Sequence, residues 1–130
     1  MQISVSQEEA RVPVTVFRLE GELTSDVELQ TAAQEAFEAG ARNILLDLKN
    51  VPYMSSAGLR AIHSIFMMLR SDSPAESDKA MTAGIAAGTF TSPHLKLLSP
   101  TQHVHEVLKT AGYDMFLEIH QDQKRALASF

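Results

Sequence analysis

The chain has 130 residues, 45% of them hydrophobic and 21% charged, with a formal net charge of −5 and no cysteine. That is enough for one domain with a sizeable core, and the acidic balance argues against nucleic acid or an anionic membrane surface as the main partner. Without cysteine there is no disulfide framework, thiolate metal site or thiol catalysis, which fits a reducing compartment.

The opening residues contain no basic segment followed by an apolar stretch, and the longest apolar run is far short of a membrane span. The expectation is a cytoplasmic soluble domain that does not insert into a membrane. Residues 2–6 alternate weakly and predict an edge strand, with a polar turn over 7–11. Val12, Val14 and Val16 then face one way and Phe17 and Leu19 the other, which predicts an interior strand. Gly21 permits a bend at its end, and antiparallel pairing of these two strands is the economical arrangement. Ser25 with Glu28 has the form of a capping box. The helix it would start runs to Ala39, with Leu29, Ala33 and Ala36 inward, Phe37 beside them, and Gly40 as a left-handed stop.

Residues 43–70 hold the densest pattern. Ile44-Leu45-Leu46-Asp47-Leu48 is too short for a helix and reads as a strand buried on both faces. Pro52 forces Val51 toward an extended conformation and so marks a turn. After Ser55-Ser56, apolar residues recur at Leu59, Ile62, Phe66 and Leu69, which is helical spacing. One of the two serines caps this helix, its hydroxyl accepting a bond from a free N–H. A phosphate there would sit at the positive end of the helix dipole. Strand, helix, strand, helix implies a right-handed crossover and a partly parallel sheet.

Residues 71–93 are rich in Ser, Ala, Gly, Asp and Thr, and read as an insertion or a mobile loop. Leu95-Lys96-Leu97-Leu98 returns as a strand, and Ser99-Pro100-Thr101 caps a helix with Val104, Val107, Leu108 and Ala111 inward, stopped by Gly112. Residues 121–130 form a short terminal helix or a frayed tail.

The segment VPYMSSAGL after LLDL, with an amphipathic helix behind it, resembles the STAS domain, specifically the bacterial anti-sigma-factor antagonists. Met54, Ser56, Gly58 and Leu59 carry the match at fixed spacing, and GYDMFLEI (residues 112–119) resembles the family's last helix, turn and strand. The resemblance implies an α/β fold over residues 1–130: a single STAS-type domain with a small mixed β-sheet and helices packed mainly on one side. It implies phosphorylation of Ser56 by an anti-sigma factor that is itself a serine protein kinase, with release of that partner and a serine phosphatase to reset the switch. Many members have Asp where this chain has Ser55, so Ser55 is the alternative acceptor. Partner switching of a target other than a sigma factor, or a place in a lipid-transport ATPase complex, are the alternatives within the fold.

Each of these residues also has an ordinary structural role. A serine in this setting caps a helix. Gly58 either lets a partner approach or packs closely on the neighbouring strand. Arg60, His63, Ser64, Met67 and Met68 lie on the outer arc of the helix, where two adaptable methionines suit an interaction surface. The expected contact set is therefore Met54, Ser55, Ala57, Gly58, Arg60, His63, Met67 and Met68. His103 and His105 point to different sides of one helix, and His63, His94 and His120 lack ligand spacing, so no metal or cofactor is expected. Asp47 reads as a carboxylate bonding turn N–H groups. No catalytic constellation is visible, so the chain reads as a binding module and kinase substrate, not an enzyme.

Overall fold

The computed structural model describes residues 1–70 and 91–130. Over them the chain forms β1 (Gln2–Glu9), β2 (Pro13–Glu20), α1 (Val27–Glu38), β3 (Ile44–Asn50), α2 (Ser56–Arg70), β4 (Leu95–Leu98), α3 (Gln102–Thr110), a 3-10 turn (Tyr113–Met115), β5 (Ile119–His120) and α4 (Gln123–Ala128). The strands lie side by side in chain order. β1 pairs antiparallel with β2, from Gln2 opposite Glu20 to Glu9 opposite Pro13. β2, β3, β4 and β5 run parallel, each joined to the next through a helix.

The sheet has two covered faces, which explains why its central strands do not alternate. On one face Phe17, Leu19, Ile44, Leu46, Leu48, Leu95 and Leu97 meet Leu29 and Ala33 of α1, the apolar stripe of α2, and Val104 and Leu108 of α3. On the other, Val14, Val16, Leu45 and Leu98 are covered by Ala126 of α4. Three long helices on one side and a short one on the other match the expected architecture. Lys96 belongs to the second face and is only 2% exposed. Its Nζ donates to Glu118 Oε2 at 2.7 Å and to the Ser129 carbonyl at 2.8 Å. A buried ammonium needs such partners, and here they tie the end of α4 to the sheet.

Local structure departs from expectation in three places. β1 continues to Glu9, because ladder pairing with β2 uses backbone groups and tolerates polar side chains on a solvated edge. Ser25 and Glu28 do not form a capping box. Asp26 precedes the helix in a helical conformation (φ −88°, ψ −21°), and the Ser25 hydroxyl accepts instead from Val27 N at 3.3 Å. The expected insertion over 71–93 falls outside the described residues as far as residue 90. Its end does not: Ser92 is buried, its N donates to the Phe116 carbonyl at 2.8 Å, and its hydroxyl accepts from Leu95 N at 3.3 Å. The stop at Gly40 is left-handed as expected, with φ of 110°, and the stop at Gly112 is left-handed too, with φ of 81°. Of the two alternatives for residues 121–130, the helix forms, with Asp122 accepting from Arg125 N at 3.2 Å.

Candidate functional site

The turn between β3 and α2 is built from both sides. Leu23, beyond the end of β2, makes an isolated parallel bridge with Met54. Leu23 N donates to the Tyr53 carbonyl at 2.9 Å, and Ser55 N donates back to the Leu23 carbonyl at 3.1 Å. Thr101, capping α3, donates its hydroxyl to the Val51 carbonyl at 2.9 Å. Tyr113 does the same to the Leu59 carbonyl in the first turns of α2 at 3.1 Å. Burial pushes the Tyr113 hydroxyl pKa up, keeping it a neutral donor.

Of the two candidate caps, Ser55 takes the role. Its Oγ accepts from Ala57 N at 3.2 Å and lies 3.5 Å from the Leu23 carbonyl. Its own carbonyl accepts from Gly58 N at 3.0 Å. Ser56 is thereby left as the first residue of α2, with its side chain exposed. The hydroxyl that the resemblance singles out is reachable, and the neighbouring one is engaged.

Two of the expected contact residues point the wrong way. Met54 is 2% exposed and belongs to the core. Gly58 is buried, and a Cβ on it would stand 2.5 Å from Met54 Cγ, 2.9 Å from Leu23 Cγ and 3.0 Å from the Leu23 carbonyl oxygen. Its missing side chain admits the Leu23–Met54 bridge, not a partner. Ser55 and Ala57 are half-buried. Ser56, Arg60, His63 and Met67 are all exposed, and their spacing of four, three and four places them in one stripe along α2. Met68 is turned aside: half-buried, it lines a groove between α1 and α2 with Ala33, Phe37 and Ile65.

Residues distant in sequence complete the surface. Arg60 Nε lies 3.6 Å from Asp26 Oδ2, just before α1. Together with Gln30, His63, Ser64 and Tyr113 they line a shallow cleft of about 460 Å³. On the other flank the exposed Tyr53 ring stacks on His103 of α3, centroids 5.1 Å apart. None of these pairings leaves a local signal, because each joins elements far apart in sequence.

Asp47 is structural. It is 2% exposed, accepts from Lys49 N at 3.2 Å, and has Arg18 Nε and Lys49 Nζ at 3.6 and 3.8 Å. Among the described residues no three His, Cys, Asp or Glu side chains are gathered as metal ligands, and no helix is long and apolar enough to cross a membrane.

The architecture defines a small α/β domain of the SpoIIAA type. The Bacillus cell-fate determinant SpoIIAA in its phosphorylated form is similar over 96% of each chain, with a TM-score of 0.63 and 16% identity. The anti-sigma factor antagonist SpoIIAA in its unphosphorylated form is similar over 95% of this chain and 92% of that one, with a TM-score of 0.62 and 15% identity. A candidate anti-sigma factor antagonist from Thermotoga maritima is similar over 87% of this chain and 83% of its own, with a TM-score of 0.61 and 22% identity. At these identities the likeness is one of fold. The family model for the STAS domain matches residues 6–73, more than half of the chain, and the chain belongs to the STAS domain family. No curated protein matches it.

Proposed function

We propose that this chain is a phosphorylation-controlled binding module, an anti-sigma-factor antagonist that acts by switching partners. The observation that carries the reading is the position of Ser56. Its hydroxyl is exposed in the first turn of α2, while Ser55 beside it is committed to the cap. Unmodified, the stripe of Ser56, Arg60, His63 and Met67 docks an anti-sigma factor that is also a serine kinase, and the sigma factor is freed. In the kinase reaction the γ-phosphoryl group of ATP bonds to Ser56 Oγ, the hydroxyl proton passes to a base of the kinase, and ADP leaves. A serine phosphatase reverses the modification. The chain itself is a substrate and a docking surface, with no catalytic role, and works in the cytoplasm.

Charge supplies the switch. A phosphate adds about −1.5 to −2 at neutral pH. At a helix N-terminus this costs the fold little. Burying the same dianion unpaired in an interface costs several kcal/mol, and about 3 kcal/mol already weakens binding roughly a hundredfold. SpoIIAA, similar in fold, has been solved in both phosphorylated and unphosphorylated forms, which supports the reading. So does the geometry of Ser55, whose hydroxyl already accepts from Ala57 N and faces the Leu23 carbonyl, a contact that a phosphate would deprive of its O–H donor.

The test is intact mass after incubation with an anti-sigma-type serine kinase and ATP, on wild type, Ser56→Ala and Ser55→Ala. The expected result is one phosphate on wild type and Ser55→Ala and none on Ser56→Ala. An equal gain on Ser56→Ala would remove the assignment.

A further inference from the structure

We propose that Arg60 is the side chain that answers a phosphate on Ser56, exchanging Asp26 for it, so that the anionic signal spreads from α2 to the start of α1. The proposal rests on the reading that Ser56 is phosphorylated, and adds how this chain responds.

Arg60 stands four residues after Ser56 on α2. Helical side chains lean toward the N-terminus, so its guanidinium has the reach to cover the turn that carries Ser56. An anion four residues before a cation is the favourable order for such a pair. In the unmodified protein Arg60 leans sideways to Asp26, but the contact is loose. It runs through Nε at 3.6 Å, between side chains 62% and 34% exposed, and such surface pairs hold weakly. A phosphate offers about twice the charge and three acceptor oxygens, in a geometry that the guanidinium fork can meet with two bonds. The other residues lining the cleft are Gln30, His63, Ser64 and Tyr113, so Arg60 is its only arginine or lysine among the described residues.

The exchange has a consequence beyond Ser56. When Arg60 leaves, the Asp26 carboxylate in the cleft lining loses its counter-charge. A partner laid across α1 and α2 then meets negative charge from two elements instead of one.

The test needs no kinase. Phosphoserine is installed at position 56 of the full chain by genetic encoding, with Arg60 intact and with Arg60→Gln. The phosphate is titrated by phosphorus NMR, and the Arg60 Nε–H resonance is followed with and without Asp26→Asn. With Arg60 present the phosphate pKa should lie about 0.3–1 unit lower than in Arg60→Gln, as for a neighbouring opposite charge. Asp26→Asn should shift the Arg60 resonance in the unmodified protein and leave it in place in the phosphorylated one. Equal phosphate pKa values in the two proteins would overturn the exchange, as would an Arg60 resonance that answers to Asp26 equally in both forms. A kinase that fails to modify Ser56 would instead sink the functional reading and leave these measurements standing.

Discussion

Gly58→Ala separates the two roles open to this glycine. In an ordinary helix the substitution stabilises, since Ala is the better helix former by about 1 kcal/mol. Here the new Cβ would stand 2.5 Å from Met54 Cγ, 2.9 Å from Leu23 Cγ and 3.0 Å from the Leu23 carbonyl oxygen. That oxygen already accepts from Ser55 N, so it cannot retreat without loosening the turn. Overpacking of this kind costs about 1–3 kcal/mol. Together with lost backbone bonding it outweighs the propensity gain, leaving a net loss of about 1–2 kcal/mol. In a domain of this size that is about 4–8 °C in Tm. The assay is thermal and urea unfolding of wild type, Gly58→Ala, Met54→Ala and the double variant. Met54→Ala removes the nearest clashing atom, so the cost of Gly58→Ala should shrink in that background, a coupling that a double-mutant cycle reads directly. A Gly58→Ala protein as stable as wild type, or one equally costly with and without Met54, would refute the close-packing account.

Ser55→Ala should cost about 1 kcal/mol in urea unfolding through loss of the cap, while Ser56→Ala should stay within about 0.5 kcal/mol; the reverse order would misassign the cap. Burial raises the Glu118 carboxyl pKa, but the hydrogen bond and charge of Lys96, with His120 behind them, outweigh it and leave the group below its ordinary range. A depressed folded pKa means stability that is present above the ordinary glutamate range and lost as pH falls through the lower folded value. Lys96→Met should therefore flatten the acid limb of a urea-midpoint profile; an unchanged slope would detach Lys96 from it. Phosphoserine at position 56 should leave Tm within the shift expected for about 1 kcal/mol of dipole stabilisation, whereas cooperative loss of structure on modification would show that the switch works by refolding.

Much of the fold was legible because its signals are local. The apolar run at Ile44, the 3.6-residue spacing after Leu59 and the stops at Gly40 and Gly112 each act within one element. Errors arose where a local pattern had a second outcome. Ser25 and Glu28 satisfy the spacing of a capping box, yet the helix begins one residue later than the box requires. Gln7, Glu8 and Glu9 look like a turn, yet they pair because the ladder is blind to side-chain polarity at an edge. The candidate site was legible along α2 and illegible across it. Helical spacing places Ser56, Arg60, His63 and Met67 on one stripe, but Asp26, Tyr53, His103 and Tyr113 join it only through tertiary packing.

The placement of Ser56 also bears on why a charge could be added there without disturbing what lies beneath. The turn under it is tied by segments that arrive from three different parts of the chain: Leu23 through the bridge to Met54, Thr101 through the Val51 carbonyl, and Tyr113 through the Leu59 carbonyl. Each tie engages backbone groups of the turn or of the first turns of α2, and none uses the Ser56 side chain. The hydroxyl is therefore mechanically idle while its surroundings are over-determined. Had the cap fallen on Ser56, a phosphate would have altered the group that caps the helix as well as the surface. With the cap on Ser55, the helix start and the exposed Ser56 oxygen are separate atoms on adjacent residues, and a charge placed on Ser56 would change the surface without touching the cap.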